Sequence, residues 1–341
     1  GNAAASSAAS PRRRAEFVML QRLLTIEEVA AIQDSAATGL ARSVQSGGSM
    51  APDSVDGFPT FWHYFIEGGQ YTGELDTLLR PLVEERLLPY VQSRYGTDVV
   101  ACHAFVRRYL HEERRRLGAH FDHHSYVTAV VGLNPEDYEG GLFVQGDVRA
   151  ERVFVPLGKG DVVFHQYDLH HGVEVLKGER YSLVFWFMDS QAACIGRTVP
   201  WYRRSAEAGD ADAQHLWARC LANGEHSGRS QPDVGAAIPW FERAVAQGNV
   251  EAMNSYAGLL WDQAGGETDQ RALALWKEAS ELGYARARGN LGGLLCTGAD
   301  GRCQKDYTEG RRLLQEAAEM GDYDAMLKLA LHLRRAGHPH P

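Results

Sequence analysis

A chain of 341 residues has room for two or three domains, and 44% hydrophobic with 23% charged residues is the balance of an ordinary globular protein. The net charge of -9 argues against nucleic acid as a partner, because non-specific binding there rests on positive charge. No apolar run approaches the ~18 residues that span a bilayer, so no membrane association is expected.

The five cysteines, Cys102, Cys194, Cys220, Cys296 and Cys303, contain no Cys-x-x-Cys. An odd number without that spacing reads as neither a disulfide framework nor a zinc knuckle. It points to a reducing compartment and so to a cytoplasmic protein, with organellar import left open.

Residues 1–14 are rich in Ala and Ser and end in Pro11-Arg12-Arg13-Arg14. They are expected to be disordered or processed and stand outside the fold. Val18-Met19-Leu20 reads as a short strand. Thr25 followed by Glu28 is a capping box, and the apolar residues after it recur at helical spacing. Residues 43–59 hold the Gly, Ser, Pro and Asp of a loop, and Phe61 to Phe65 is strand-like. Leucines between Glu74 and Tyr95 suit one or two amphipathic helices, interrupted at Pro81 and Pro89. Arg114-Arg115-Arg116 is a local basic run, but Glu112-Glu113 precedes it and offsets most of its charge, so a solvated face or turn is expected there.

From Val99 the period shortens to that of strands. Short β-like runs lie at 99–109, 126–133, 142–145, 153–155, 162–164 and 181–188. Turn signals divide them at Asn134-Pro135, Gly140-Gly141, Gly146-Asp147, Gly158 to Asp161 and Lys177-Gly178. Many short strands with such punctuation predict a double-sheet jelly roll, wide enough inside for a small ligand.

This region holds His120-Phe121-Asp122. Side chains two apart on a strand project to one face, so a nitrogen and an oxygen reach one point. Two imidazoles and one carboxylate are the facial set that holds non-haem Fe(II) and leaves coordination positions open. The third ligand must come from another strand, and His165, His170 and His171 are the candidates. Arg180 and Ser182 share a strand face behind them, and a guanidinium fork matches a carboxylate.

The span from Tyr109 to Asp189 resembles the prolyl-hydroxylase-like branch of the Fe(II)/2-oxoglutarate dioxygenases. The residues that carry the likeness are His120-x-Asp122, Leu133-Asn134, Gly140-Gly141, His171-x-Val173, Arg180-Tyr181-Ser182-Leu183 and Trp186-Phe187. The likeness implies His120, Asp122 and His171 as iron ligands, with His170 the alternative to His171. It implies Arg180, Ser182 and Tyr109 as contacts of 2-oxoglutarate, and no catalytic residue beyond the metal ligands. Implied too are Fe(II), 2-oxoglutarate and O2, with ascorbate as an accessory reductant, and hydroxylation with release of succinate and CO2. In the oxygen-sensing members a second Tyr stands where this chain has Val131 and Gly132, so their substrate does not transfer.

After Asp189 the chain turns helical and repeats. Gly209, Gly248, Gly283 and Gly321 lie 39, 35 and 38 residues apart. Four residues after each comes Ala213, Ala252, Ala287 or Ala325, and eight after each comes Trp217, Tyr256, Leu291 or Leu329. Twelve after each comes Leu221, Leu260, Leu295 or Leu333, and seven before each stands Tyr202, Phe241, Trp276 or Leu314. This period belongs to helix–turn–helix solenoids. The Gly should end a first helix and the Ala let the second pack close, with Pro200 and Pro239 in first turns. The stretch resembles Sel1-like repeats, which implies a protein or peptide partner.

The expected architecture is therefore an α+β multidomain chain. A jelly-roll (double-stranded β-helix) oxygenase domain with N-terminal helices occupies 15–190, a linker 191–199 and all-α repeats 200–337. The expected activity is hydroxylation of a protein or peptide side chain such as prolyl. The alternatives are a small-molecule hydroxylase of the same mechanism and a non-catalytic adaptor.

Overall fold

The computed structural model describes residues 17–45, 51–52, 59–73, 75–110, 114–145, 151–225, 231–263 and 265–335. The 1–14 segment, Glu112-Glu113 and the Gly146-Asp147 turn lie outside the described residues. Two compact units separate between Trp201 and Tyr202.

The first unit begins with strand β1 (Phe17–Leu20) and helix α1 (Ile26–Gln45). The capping box forms: Glu28 N–H donates to Thr25 Oγ1 at 3.2 Å and Thr25 N–H to Glu28 Oε2 at 2.8 Å. β2 (Ala51–Pro52) pairs with β3 (Pro59–Thr60), and β4 (Trp62–Glu67) with β5 (Gln70–Tyr71). The leucine-rich stretch is one continuous helical run rather than a pair broken at prolines. It comprises α2 (Asp76–Pro81), a π-turn at Leu82–Leu87 and α3 (Leu88–Tyr95). Pro81 has no N–H to donate, and the run widens into the π-turn directly after it. Pro89 comes just after the π-turn, at the start of α3.

Seven strands and a short helix follow: β6 (Val100–Leu110), β7 (Arg116–His120), β8 (Val127–Gly132), β9 (Tyr138–Val144), β10 (Val153–Phe154), β11 (Val162–Gln166), β12 (His171–Met188) and α4 (Gln191–Gly196). Eighteen residues long, β12 serves two sheets. Its first half pairs with β7 and β9, its second half with β8 and β6, all antiparallel. The larger sheet runs β1-β11-β8-β12-β6-β4-β5.

Alternation along the strands divides two cores. Val130 and Val163 face inward and pack with Tyr109, Leu117, Leu142, Val173 and Val175. Ala129, Val131 and Phe164, one residue out of phase, pack under Val29, Ile32, Leu79, Leu87 and Val91 of the helices. Glycine is required where β9 meets β12. Gly140 has φ +90° and a Cβ there would stand 2.3 Å from the Glu174 carbonyl oxygen.

The cysteine expectation is corrected here. Cys102 on β6 and Cys194 on α4 form a disulfide across 92 residues, while Cys220, Cys296 and Cys303 are free thiols. Local spacing rules cannot see a pair that tertiary folding joins. The argument from cysteine usage to a reducing compartment falls with it. Residues 191–199, expected as a linker, hold α4, which Ser190 caps by accepting from Ala193 N–H at 3.2 Å. Trp201 belongs with this unit as well, its ring against Tyr126 at 5.6 Å.

The second unit is four helix pairs: α5 (Pro200–Glu207, its first two residues before the division) with α6 (Ala211–Asn223), α7 (Val234–Ala246) with α8 (Val250–Asp262), α9 (Gly266–Glu281) with α10 (Ala285–Thr297), and α11 (Tyr307–Glu319) with α12 (Tyr323–Arg335). Gly209, Gly248, Gly283 and Gly321 all take positive φ, from +79° to +99°, just past the first helix of each pair. The four alanines in register are fully buried. Asp210, Asn249 and Asp322 cap second helices by accepting from the N–H three residues on. Pro239 is not in a first turn: α7 starts five residues earlier, capped by Asp233. Its exposed position and Gly235 four residues before it make an internal proline tolerable. Among the described residues no helix is long and apolar enough to cross a membrane.

Candidate metal centre

β7 and β12 set His120 and His171 directly opposite each other in the ladder. β7 ends at His120, so Asp122 lies beyond the strand rather than on its face as expected. Its carboxylate is aimed instead by Thr128 of β8, whose Oγ1 donates to Oδ2 at 2.6 Å. One donor atom from each of His120, Asp122 and His171 falls within 4.8 Å of the others. His120 Nε2 is 3.6 Å from Asp122 Oδ1, and His171 Nε2 is 3.7 Å from Oδ2.

Both imidazoles are turned by their main chain. His120 Nδ1 lies 2.9 Å from the Gly118 carbonyl oxygen and His171 Nδ1 lies 3.0 Å from that of Leu169. A carbonyl only accepts, so each Nδ1 carries the proton and each Nε2 offers a lone pair. Burial holds His171 well below the usual histidine pKa, with His165 adding to the effect. Burial alone would raise the Asp122 carboxyl, but His171, His120 and His165 around it hold it well below the usual carboxylate range. A divalent metal takes its imidazole ligands neutral and its carboxylate ligand ionised.

A recess opens from these donors. Leu117, Val130, Leu142, Val173 and Val184 give it apolar walls, with Arg180 and Ser182 on one side and Trp186 and Phe105 on another. Arg180 is 1% exposed and donates to Ser182 Oγ at 3.1 Å. No side-chain carboxylate pairs with it among the described residues, and its Nε has no hydrogen-bond partner. A buried guanidinium without a counter-ion fits an organic carboxylate as ligand. Tyr109 lines the same recess, its ring 5.7 Å from the Arg180 guanidinium.

Asn134 explains its own presence in the sequence pattern. Its Nδ2 donates to the Glu179 carbonyl oxygen at 2.8 Å and its Oδ1 accepts from Tyr181 N–H at 2.8 Å, which clamps β12 on either side of Arg180. His170 stays outside the donor group, its ring against Phe121 at 5.0 Å. Thr128 and Tyr138 went unassigned in the sequence, and His165, a candidate for the third ligand there, stands outside the donor group. Tyr138 comes from β9, its ring 5.9 Å from the Arg180 guanidinium. Val131 faces the helices, and Gly132 lies under Gly158. The Arg180 guanidinium therefore has a second tyrosine near it from a different strand, which only the register of β9 on β12 reveals.

Known proteins agree with this division of the chain. The family model of the 2OG-Fe(II) oxygenase superfamily matches residues 104–188, and that of the Sel1 repeat matches 201–210, 211–249, 250–284 and 285–322. No curated protein matches the chain. Among solved structures, the non-haem α-ketoglutarate-dependent epimerase SnoN from nogalamycin biosynthesis is 22% identical, with 53% of this chain and 80% of that one covered and a TM-score of 0.39. A prolyl-4-hydroxylase from Pseudomonas putida is 20% identical, with 51% of this chain and 92% of that one covered and a TM-score of 0.39. A Sel1 repeat protein from Oxalobacter formigenes is 26% identical, with 39% and 52% covered and a TM-score of 0.33, so the chain spans about half of its length.

Proposed function

Starting from a 2-oxoglutarate-dependent dioxygenase domain of the 2OG-Fe(II) oxygenase superfamily, followed by Sel1 repeats, we propose that the chain hydroxylates a protein or peptide side chain such as prolyl. The observation that carries the reading is the three-donor group opening onto a recess that also holds a buried guanidinium with no carboxylate partner among the described residues. His120 and His171 bind the metal through Nε2 and Asp122 through a carboxylate oxygen, while Thr128 Oγ1 orients that carboxylate. Fe(II) and 2-oxoglutarate, the pair the family uses, supply oxidation of an unactivated C–H bond by O2, with succinate and CO2 released. Arg180 grips the distal carboxylate of 2-oxoglutarate, with Ser182 and Tyr109 beside it, and the apolar walls exclude water so that this charge pair is strong. Ascorbate is the reductant expected to restore Fe(II) after uncoupled cycles.

Sel1 repeats as a class mediate interaction between proteins, which favours a macromolecular substrate or partner over a metabolite. We take the boundary between the two domains to follow α4, which the division of the chain between Trp201 and Tyr202 supports. The test is mass spectrometry of peptides and of a metabolite pool incubated separately with the iron-loaded full chain, 2-oxoglutarate and O2. Oxygen added to a peptide side chain is the expected result. Oxygen added only to metabolites contradicts the peptide reading and leaves the chemistry standing.

A further inference from the structure

The smaller sheet, which β7, β12, β9 and β10 form, has an inner side at the metal centre and an outer side away from it. Leu117, Leu142 and Val173 point inward and line the recess. Their chain neighbours Arg116, Phe143 and Glu174 therefore face outward. Arg116 stands opposite Glu174 in the β7–β12 ladder, but the Glu174 carboxylate is engaged by Arg152, which donates to Oε2 at 2.6 Å. The Arg152 guanidinium also covers Phe143, 4.9 Å from the ring centre.

Two guanidiniums thus meet one carboxylate on this face. Arg116 is partly buried, makes no ion pair among the described residues, and its Nε has no hydrogen-bond partner. Burial, then Arg152 and Arg115 nearby, pushes its pKa below that of an ordinary guanidinium, with Glu174 opposing. Apolar side chains stand exposed beside these charges. Phe154 on β10 is 38% exposed, its ring 6.0 Å from that of Phe143, and Leu176 on β12 is 54% exposed.

A partly buried cation without a counter-ion is costly, and a carboxylate brought from outside relieves it through a charge-assisted bond. The chain as a whole carries -9, so the positive surplus is confined to this face. That is too little basic surface for nucleic acid, whose binding needs many cations, while Phe154 and Leu176 call for apolar groups in the partner. β7 and β10 lie three strand spacings apart, roughly 14 Å, a width that about four extended residues cross.

We propose that the outer face of the smaller sheet docks an acidic segment of a partner protein, with a carboxylate on Arg116 and an apolar side chain against Phe154 and Leu176. The inference goes beyond the hydroxylase reading and needs neither metal nor cosubstrate. Because the recess opens on the other side of the sheet, docking leaves it free.

The test is fluorescence anisotropy with the full chain, free of metal and 2-oxoglutarate, and a short labelled peptide of alternating Glu and Leu. Saturable binding is expected, about tenfold weaker when Gln replaces Glu in the peptide and about tenfold weaker in Arg116→Gln. An unchanged thermal transition identifies a folded variant. Leu176→Ser, at an exposed position, carries the test should Arg116→Gln not fold, and binding should weaken severalfold there. No saturable binding, equal affinity for the Glu and Gln peptides, or full affinity in the folded variants overturns the proposal. So does a short thymidine oligonucleotide that binds more tightly than the Glu and Leu peptide.

Discussion

The two units store their information in opposite ways. In the repeat unit each helix pair is built from neighbours in sequence: a glycine at positive φ and a buried alanine four residues on, with a side-chain cap between them in three of the four, as in Gly248, Asn249 and Ala252. In the β unit almost nothing at the site is local. His171 meets His120 because β12 crosses from one sheet to the other, and Arg180 meets Tyr109 across the β12–β6 ladder. A periodic sequence can therefore specify a solenoid copy by copy, while the metal centre depends on the whole sheet registering correctly.

That contrast can be broken first at the metal. His120→Ala is expected to weaken binding of Fe(II) or Zn(II) more than about 100-fold by calorimetry, beyond what loss of a supporting contact costs. The repeat unit's unfolding transition should not move. Next comes the disulfide. Replacing Cys102 and Cys194 together by Ser removes a cross-link over 92 residues, and the chain-entropy account puts the loss at about 4 to 5 kcal/mol. Denaturant melts should show that loss in the β unit. In the other direction, Leu314→Ala removes a fully buried side chain from α11 and should cost the repeats about 3 kcal/mol, with metal affinity unchanged.

Smaller effects sharpen the comparison. Arg180→Ala should weaken 2-oxoglutarate binding by about 2 kcal/mol or somewhat more, read by calorimetry on the metal-loaded chain; unchanged affinity would remove Arg180 from its role. In the repeats, burial takes His215 down to about 3 from an ordinary 6.5. Its folded pKa is thus below its unfolded one, so the unfolded chain binds the extra proton first. Stability should fall as pH drops from about 6.5 toward about 3, by about 1.4 kcal/mol per pH unit. His215→Asn should flatten that slope, and urea melts at neutral and mildly acidic pH measure it.

How much was legible follows the same division. Gly209 and its three successors gave away the repeats, since a glycine past a helix end and an alanine at a close contact are local necessities. His120, Asp122, Arg180 and Ser182 were visible as a spaced pattern, and the fold brings all four to one recess. Thr128 and Tyr138 were not, because each enters through strand register rather than through a motif, and His165 was visible only as one of three candidates for the third ligand. The Cys102–Cys194 bond escaped for the same reason, and so did α4, whose cap Ser190 looked like any linker serine. Pro81 and Pro239 misled because an exposed helix face, or a widened turn, absorbs a missing donor.

The most direct measurement is succinate formed from 2-oxoglutarate by the iron-loaded full chain under O2, beside the Asp122→Ala variant and an anaerobic control. The expected result is O2-dependent succinate from the unmodified chain, even uncoupled, and none above background from the variant. No succinate from the unmodified chain, or equal amounts from both, would contradict the assignment of this centre.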